Sequence, residues 1–168
     1  MEGMDRRDYV AEKFGGMDRA RDIHSSLAQA GAEEGIEFNF NSIERTPNTI
    51  HSHRLVRLAA EHGLQTPLIS AIFDAYFLEG KDIGEPEILA DIAEIVGLNR
   101  DRTIWFLESD IDTETILAED ELARRLGVNG VPCFIMNRKY AVSGAQSAEV
   151  LVQVFDLANQ DETPALSE

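Results

Sequence analysis

The sequence contains a single cysteine, Cys133, and no long apolar run. One cysteine cannot form an internal disulfide, so nothing requires an oxidising compartment. No apolar stretch approaches the roughly 20 residues that a transmembrane helix needs. The polar residues 1–8 lack the apolar region of a signal peptide. We therefore expect a cytoplasmic protein that does not act in the membrane.

Basic residues are also scarce, with 15 lysines and arginines against 31 acids and a formal net charge of -16. This balance argues against a nucleic-acid partner and against an anionic membrane surface. The dense acidic run over residues 108–121 is typical of a solvated face. Neither a glycine-rich phosphate loop nor a Gly-x-Ser-x-Gly elbow occurs. Composition therefore excludes several common classes of binding protein and enzyme.

The histidines do not have the spacing of a metal site. His51 and His53 are two residues apart, so on a helix they face different sides. Ligands on one helix need a spacing of three or four residues, as in His-Glu-x-x-His. We expect no metal and no other bound cofactor.

Most of the sequence has the apolar period of amphipathic helices. The glycine at position 31 is predicted to close the second helix, and residues 36–40 read as an extended connector. The predicted helices cover residues 5–14, 18–30, a region from 46–49 to 62–63, 66–78, 86–97, a short piece at 105–107, 113–126 and 147–158.

The apolar period changes from helical to alternating after residue 127. Residues 132–136 and 140–142 alternate around a turn at 137–139, which predicts a β-hairpin. The hairpin is followed by the last predicted helix. A proline, Pro132, opens the first strand of this hairpin.

Two blocks of sequence are more specific than the helical pattern. One runs from Gly127-Val128-Asn129-Gly130-Val131-Pro132 to Ser143-Gly144-Ala145-Gln146, and the other is Arg45-Thr46-Pro47-Asn48-Thr49 with His53-Arg54-Leu55. In this order they resemble the DsbA-like thioredoxin-fold oxidoreductases. The nearest branch is the FrnE type, which is close to the 2-hydroxychromene-2-carboxylate isomerases. The resemblance extends from residue 4 to residue 158.

The resemblance implies an α/β thioredoxin-like fold with a large helical insertion, of which this chain is mostly α-helical with a C-terminal β-hairpin and helix. Residues 1–126 would be the helical insertion, residues 127–158 the C-terminal half of the thioredoxin-like domain, and residues 159–168 a flexible acidic tail. The family carries a Cys-x-x-Cys pair in a strand-helix-strand unit that precedes the insertion. Since this sequence lacks that unit, we expect a fragment whose start codon was called too late, a proteolysed remainder of a longer protein, or a genuinely truncated relative with a non-redox role.

The resemblance also implies a substrate site. The bond between Val131 and Pro132 would be cis, and the backbone of Val131 would pair with an extended peptide. Gln146 and Asn48 are further substrate-binding candidates. The alternatives are that Pro132 only begins a strand and that Asn48 only caps a helix. Cys133 is expected to be a small buried apolar residue, the alternative being a reactive thiol.

Three functions follow from these observations. The first is a thiol-disulfide oxidoreductase that acts on protein or peptide thiols and is inactive as this chain, because the redox pair is absent. The second is a glutathione-linked isomerase or transferase, with glutathione near Val131, Pro132 and Gln146. The third is a non-catalytic peptide-binding module. In each case a truncated sheet would expose apolar surface, so we expect a homodimer.

Overall fold

The computed structural model describes residues 3–162, which divide into two compact units between Leu117 and Ala118. The boundary between these units lies within one helix, nine residues before the domain boundary predicted after residue 126. That predicted domain boundary stays a prediction. The described α-helices are α1 (Arg6–Phe14), α2 (Met17–Glu33), α3 (Ile50–Ala60), α4 (Gln65–Phe77), α5 (Pro86–Ile95), α6 (Arg100–Glu108), α7 (Thr113–Arg125) and α8 (Ala148–Glu162). The strands are β1 (Met4–Asp5), β2 (Arg45–Thr46), β3 (Cys133–Met136) and β4 (Tyr140–Ser143), and a 3-10 helix covers Phe40–Ser42.

The core of the first unit lies between helices α3 to α6. Their apolar residues recur every three or four positions, so each helix buries one stripe against its neighbours. None of the helices in the described range is both long and apolar enough to cross a membrane. The buried apolar side chains of this core are Ile43, Leu55, Ala59, Leu68, Ile72, Ala75, Tyr76, Ile83, Leu89, Ile92, Ala93, Phe106 and Leu107.

A fully buried arginine, Arg54, joins α3 to the end of α6. Its guanidinium donates to the carbonyl oxygens of Phe106 (2.7 Å), Leu107 (3.1 Å), Ser109 (2.7 Å) and Ile111 (2.7 Å). The last carbonyls of a helix have no partner within the helix, and Arg54 supplies donors for them. Burial of this charge is therefore compensated by peptide dipoles at the end of α6.

The first unit also contains a short ladder that was not predicted. Strands β1 and β2 pair antiparallel, with Met4 opposite Thr46. The prediction that a helix begins at residues 46–49 was therefore early, since Thr46 lies in a strand and α3 begins at Ile50. Asp5 ends β1 and caps α1, because its carboxylate accepts from the backbone of Arg7 at 2.8 Å.

Helix α2 continues past Gly31, contrary to the prediction that this glycine ends it. The reason is packing rather than termination. A Cβ atom at Gly31 would lie 2.6 Å from the ring of Phe38, so only glycine lets that ring approach the helix. Residues 36–39 are an irregular connector, in agreement with the prediction, and lead into the 3-10 helix.

The second unit contains the predicted hairpin and final helix. Strands β3 and β4 pair antiparallel with Phe134 opposite Val142. Asn137 and Arg138 form the turn at positive φ, and the Asn137 side-chain amide donates to the carbonyl of Ala158 on α8 at 2.8 Å. Helix α8 extends to Glu162, so residues 159–162 of the predicted flexible tail are helical. The rest of that tail, residues 163–168, lies outside the described residues.

Candidate functional site

The loop that precedes β3 presents an exposed backbone. Val131 is 89% exposed, and the peptide bond between Val131 and Pro132 is cis. Within residues 3–162, neither the N–H nor the C=O of Val131 has a hydrogen-bond partner. Both groups are thus available to an external donor and acceptor.

Further along β3, backbone N–H and C=O groups again point away from β4, as they do at Val131. The carbonyl of Pro132 accepts from the N–H of Gly144 at 2.8 Å, so Pro132 faces β4. In an antiparallel pair, alternate residues direct their N–H and C=O groups away from the partner strand. We call the edge that carries the backbone groups of Val131, Cys133 and Ile135 the open edge of β3. No strand in the described part of the chain pairs with it.

An open strand edge can bind an extended peptide. Main-chain hydrogen bonds at such an edge supply affinity, and the alternating side chains supply specificity. Ile135 was not among the predicted site residues, although its parity with Val131 in the predicted strand could have indicated it. The open edge therefore offers free backbone groups at three positions, where the prediction named the backbone of Val131 alone.

The side chains of β3 are also incompletely covered. Phe134 and Ile135 are 40% and 51% exposed, and since neighbours on a strand point to opposite faces, both faces expose apolar surface. Cys133 is only partly buried, which corrects the expectation of a buried small residue. Its partial exposure follows from the absence of a neighbouring strand on this edge within residues 3–162.

Gln146 lies at the same end of the hairpin as Pro132. The register places Cys133 opposite Ser143, so the loop after β4 is adjacent to the loop before β3. The Gln146 side-chain amide donates to the carbonyl of Ser143 at 2.9 Å. The hairpin thus brings together Val131, Pro132 and Gln146, three of the four predicted substrate-binding residues.

The fourth predicted residue, Asn48, belongs to the first unit. Its side-chain oxygen accepts from the backbone N–H of Ile50 at 3.1 Å, at the start of α3. This is an Asx turn directly before α3, whose N-cap residue is Thr49, so Asn48 supports the helix start without being the N-cap that was its alternative role. The described residues contain no group of three or more histidine, cysteine, aspartate or glutamate side chains that could hold a metal ion.

Comparisons with known proteins place this geometry in a family. The family model described as a DSBA-like thioredoxin domain matches residues 2–156. The thiol:disulfide interchange protein DsbA of Pseudomonas syringae pv. tomato is 30% identical over 96 residues, which cover 56% of this chain and 45% of that protein. The chain therefore aligns with less than half the length of this curated relative.

Two solved structures are similar to the chain. One, from Streptomyces coelicolor and described as a probable DsbA oxidoreductase, has a TM-score of 0.87 and 27% identity and covers 99% of this chain and 72% of that one. The other, a candidate protein disulfide isomerase from Nitrosomonas europaea, has a TM-score of 0.70 over 87% of this chain and 76% of that one. At 19% identity the second likeness concerns the fold alone.

Proposed function

Because the chain belongs to the DSBA-like thioredoxin domain family, we propose that it forms the substrate-binding part of a thiol-disulfide oxidoreductase of the FrnE-type branch. The observation that carries the proposal is the open edge of β3, which begins at the exposed backbone of Val131. The substrate is a protein or peptide thiol or disulfide. An extended segment of it pairs with the backbone of Val131, and with this 168-residue chain alone also with the backbone of Cys133 and Ile135.

The redox step needs groups that this chain lacks. In thiol-disulfide exchange a thiolate attacks a disulfide sulfur, forms a mixed disulfide and releases the other sulfur as a thiolate. A second thiol then attacks the mixed disulfide and frees the product. Cys133 is the chain's single cysteine, so the 168 residues hold no such pair. In the complete oxidoreductase we place the Cys-x-x-Cys pair in a strand-helix-strand unit outside these residues.

Each predicted site residue has a role in this proposal. Val131 and Pro132 present the backbone to the substrate, and Gln146 contacts the substrate segment that passes the end of the hairpin. Asn48, at the start of α3, is proposed as a substrate-binding residue of the first unit. The hydrogen bond from Ile50 to Asn48 leaves the amide nitrogen of Asn48 as a donor for that role.

The test separates substrate binding from redox turnover. The purified 168-residue chain should give no reduction of insulin disulfides in the presence of dithiothreitol above the rate without protein. It should bind an extended apolar peptide from the insulin B chain in a fluorescence anisotropy titration. The matched control is the same peptide N-methylated at every second residue, which keeps the side chains but removes main-chain donors. Robust insulin turnover, or equal binding of both peptides, would contradict the proposal.

The single cysteine favours a second function, a non-catalytic peptide-binding module. Such a module would bind the insulin peptide as described, and this binding would survive Cys133→Ser. A glutathione-linked isomerase or transferase would instead show saturable glutathione binding at Val131, Pro132 and Gln146. Glutathione resonance shifts confined to these residues would therefore move the assignment to that enzyme class.

Location and assembly complete the proposal. We place the protein in the cytoplasm, since one cysteine makes no demand for an oxidising compartment. We also propose a homodimer, because the second unit exposes apolar side chains on α8 as well as on β3. Those on α8 include Val152 (53% exposed), Phe155 (48%) and Leu157 (47%).

A further inference from the structure

A cationic pocket lies in the first unit of this acidic protein. It has a volume of about 480 Å³, and its polar lining includes Arg6, Arg7, Arg21 and His24. Among the lining residues, all within the described range, none is acidic. The chain as a whole has twice as many acidic as basic residues. The lining of this cavity has the opposite charge, with three arginines and no carboxylate.

Arg6 is the most informative of these residues. Its Nε atom is buried and has no hydrogen-bond partner in the described part of the chain. Among residues 3–162, its side chain makes one hydrogen bond, a long one of 3.4 Å from Nη1 to Thr46 Oγ1. A buried guanidinium nitrogen without an acceptor is costly, and an oxyanion bound beside this partly buried side chain, which lines the pocket, would offset part of that cost.

The neighbouring arginines leave positive charge unbalanced. Within residues 3–162, the Arg7 side chain has no ion pair or hydrogen bond, although Asp5 lies close in sequence and accepts from the Arg7 backbone. Arg21 pairs with Asp18 at 3.0 Å, but both side chains are largely exposed, so this pair is weak. Two of the three arginines therefore have no carboxylate partner among the described residues.

The other wall of the pocket is apolar. Val10, Ala20 and Ile43 are buried beside it, and the rings of His24 and Phe40 stack with centroids 4.7 Å apart. Burial and the charge of Arg6 lower the pKa of His24, so the ring is neutral near pH 7 and adds no charge of its own. A ligand that fits has an anionic end toward the arginines and an apolar end toward Phe40.

We propose that this pocket binds a small molecule that carries a carboxylate or a phosphate group next to an apolar body. Arginine recognises both groups, because its planar donors match two oxygens at once. The volume lies within the usual range for small-molecule sites. The inference is independent of the proposed function, since every residue involved belongs to the first unit and none lies at the open edge of β3.

The test is an NMR titration of the full 168-residue protein with three probes, inorganic phosphate, acetate and butyrate. We expect saturable shifts of the backbone amides of residues 6, 7 and 21, and a rise in the pKa of His24 when an anion is bound. Tighter binding of phosphate would identify a phosphate ligand, and tighter binding of butyrate than of acetate would identify an apolar carboxylate. No saturable shift with any probe would overturn the proposal.

Variants distinguish specific anion binding in this pocket from nonspecific attraction of anions by surface arginines. Arg6→Gln and the exposed Arg7→Gln should each weaken binding about tenfold, the loss expected for one charge-assisted hydrogen bond. Arg19→Gln is the matched control, because it removes the same charge from the same helix as Arg21 but lies outside the pocket lining. Should Arg6→Gln fail to fold, Arg7→Gln still decides. Equal weakening by Arg19→Gln would contradict a specific site.

Discussion

Nη1 of Arg54 lies 2.9 Å from Nδ1 of His51, one turn earlier on α3. A guanidinium can only donate, so Nδ1 is the acceptor and the neutral imidazole carries its proton on Nε2. Burial, and then the charge of Arg54, lower the pKa of His51, while Glu85 acts in the opposite direction. The contact therefore requires a neutral His51.

We predict that the first unit loses stability as the pH falls below the ordinary histidine pKa of about 6.5. In this window the unfolded chain binds a proton that folded His51 does not, so the free energy of unfolding decreases with falling pH. Above about pH 6.5 His51 is neutral in both states, so its full contribution to stability is present. His24, whose pKa is also lowered, acts in the same direction.

Urea denaturation between about pH 5 and about pH 8 measures the effect. His51→Gln should reduce the slope of unfolding free energy against pH, because glutamine can accept from Arg54 but does not titrate there. His53→Gln is the matched control on the same helix. An unchanged slope in His51→Gln would show that the contact does not control the titration.

Arg54→Met should destabilise the first unit by about 3 kcal/mol or more, because it leaves the buried carbonyls of Phe106 and Leu107 without these donors. Arg54→Lys should recover little of this stability, since the three donors of one ammonium group cannot reach all four carbonyls that the planar guanidinium bonds. The measurement is the free energy of unfolding in urea. Arg57→Met, on the exposed side of α3, should cost less than about 1 kcal/mol. Similar losses for both arginines would refute a special role for Arg54.

Gly31→Ala should destabilise the protein by about 1–3 kcal/mol, the usual cost of overpacking. In an unconstrained helix the same change is stabilising by up to about 1 kcal/mol, so the sign of the effect is diagnostic. Thermal and urea unfolding report the difference. In a Phe38→Leu background the ring is gone, and the alanine should cost less. Additive effects of the two substitutions would argue against the contact.

Val131→Ala should change the free energy of unfolding by less than about 0.5 kcal/mol, because this side chain is almost fully exposed. Binding of the insulin peptide should stay within about twofold if the backbone of Val131 makes the contact. Ile135→Lys is the informative partner variant, since it places a charge on an apolar face of β3 and should weaken binding. Loss of binding in Val131→Ala alone would assign recognition to the side chain.

The proposed homodimer is tested by multi-angle light scattering over a range of concentrations. We expect a mass near twice 18.7 kDa. Phe155→Glu should shift the protein toward monomer, because it places a charge on the exposed apolar face of α8. Gln153→Glu, an exposed change on the same helix, is the control. A monomer at every concentration would contradict the proposal.

Much of the fold follows from local pattern. The predicted fold class is confirmed. It was predictable because helical periodicity, the hairpin at residues 132–142 and two short motifs are all local features of the sequence. What the sequence does not reveal depends on distant contacts. Gly31 looked like a helix end because a ring seven residues later was not visible as its partner. The pattern Thr46-Pro47-Asn48-Thr49 predicts a helix start, and no local feature of the sequence indicates that Thr46 pairs with Met4.

The candidate site divides in the same way. Val131 and Pro132 are predicted from one local motif, and the alternation of residues along the strand points to Ile135 on the same edge. The lining of the cationic pocket comes from α1, α2 and the 3-10 helix region. No sequence spacing joins Arg6 to His24 or Phe40. The candidate substrate site, which lies within one segment, could therefore be predicted from the sequence, and the proposed pocket, which is assembled from three segments, could not.

The open edge of β3 gives the acidic composition of the chain a further consequence. A strand with one unpaired edge and apolar neighbours is a template on which the strand of another molecule can pair. At a net charge of -16, mutual repulsion keeps such templates apart. Near the pI of about 4.5, or in concentrated salt, that colloidal barrier disappears. Acidic storage conditions should therefore favour aggregation through this edge unless a ligand strand occupies it.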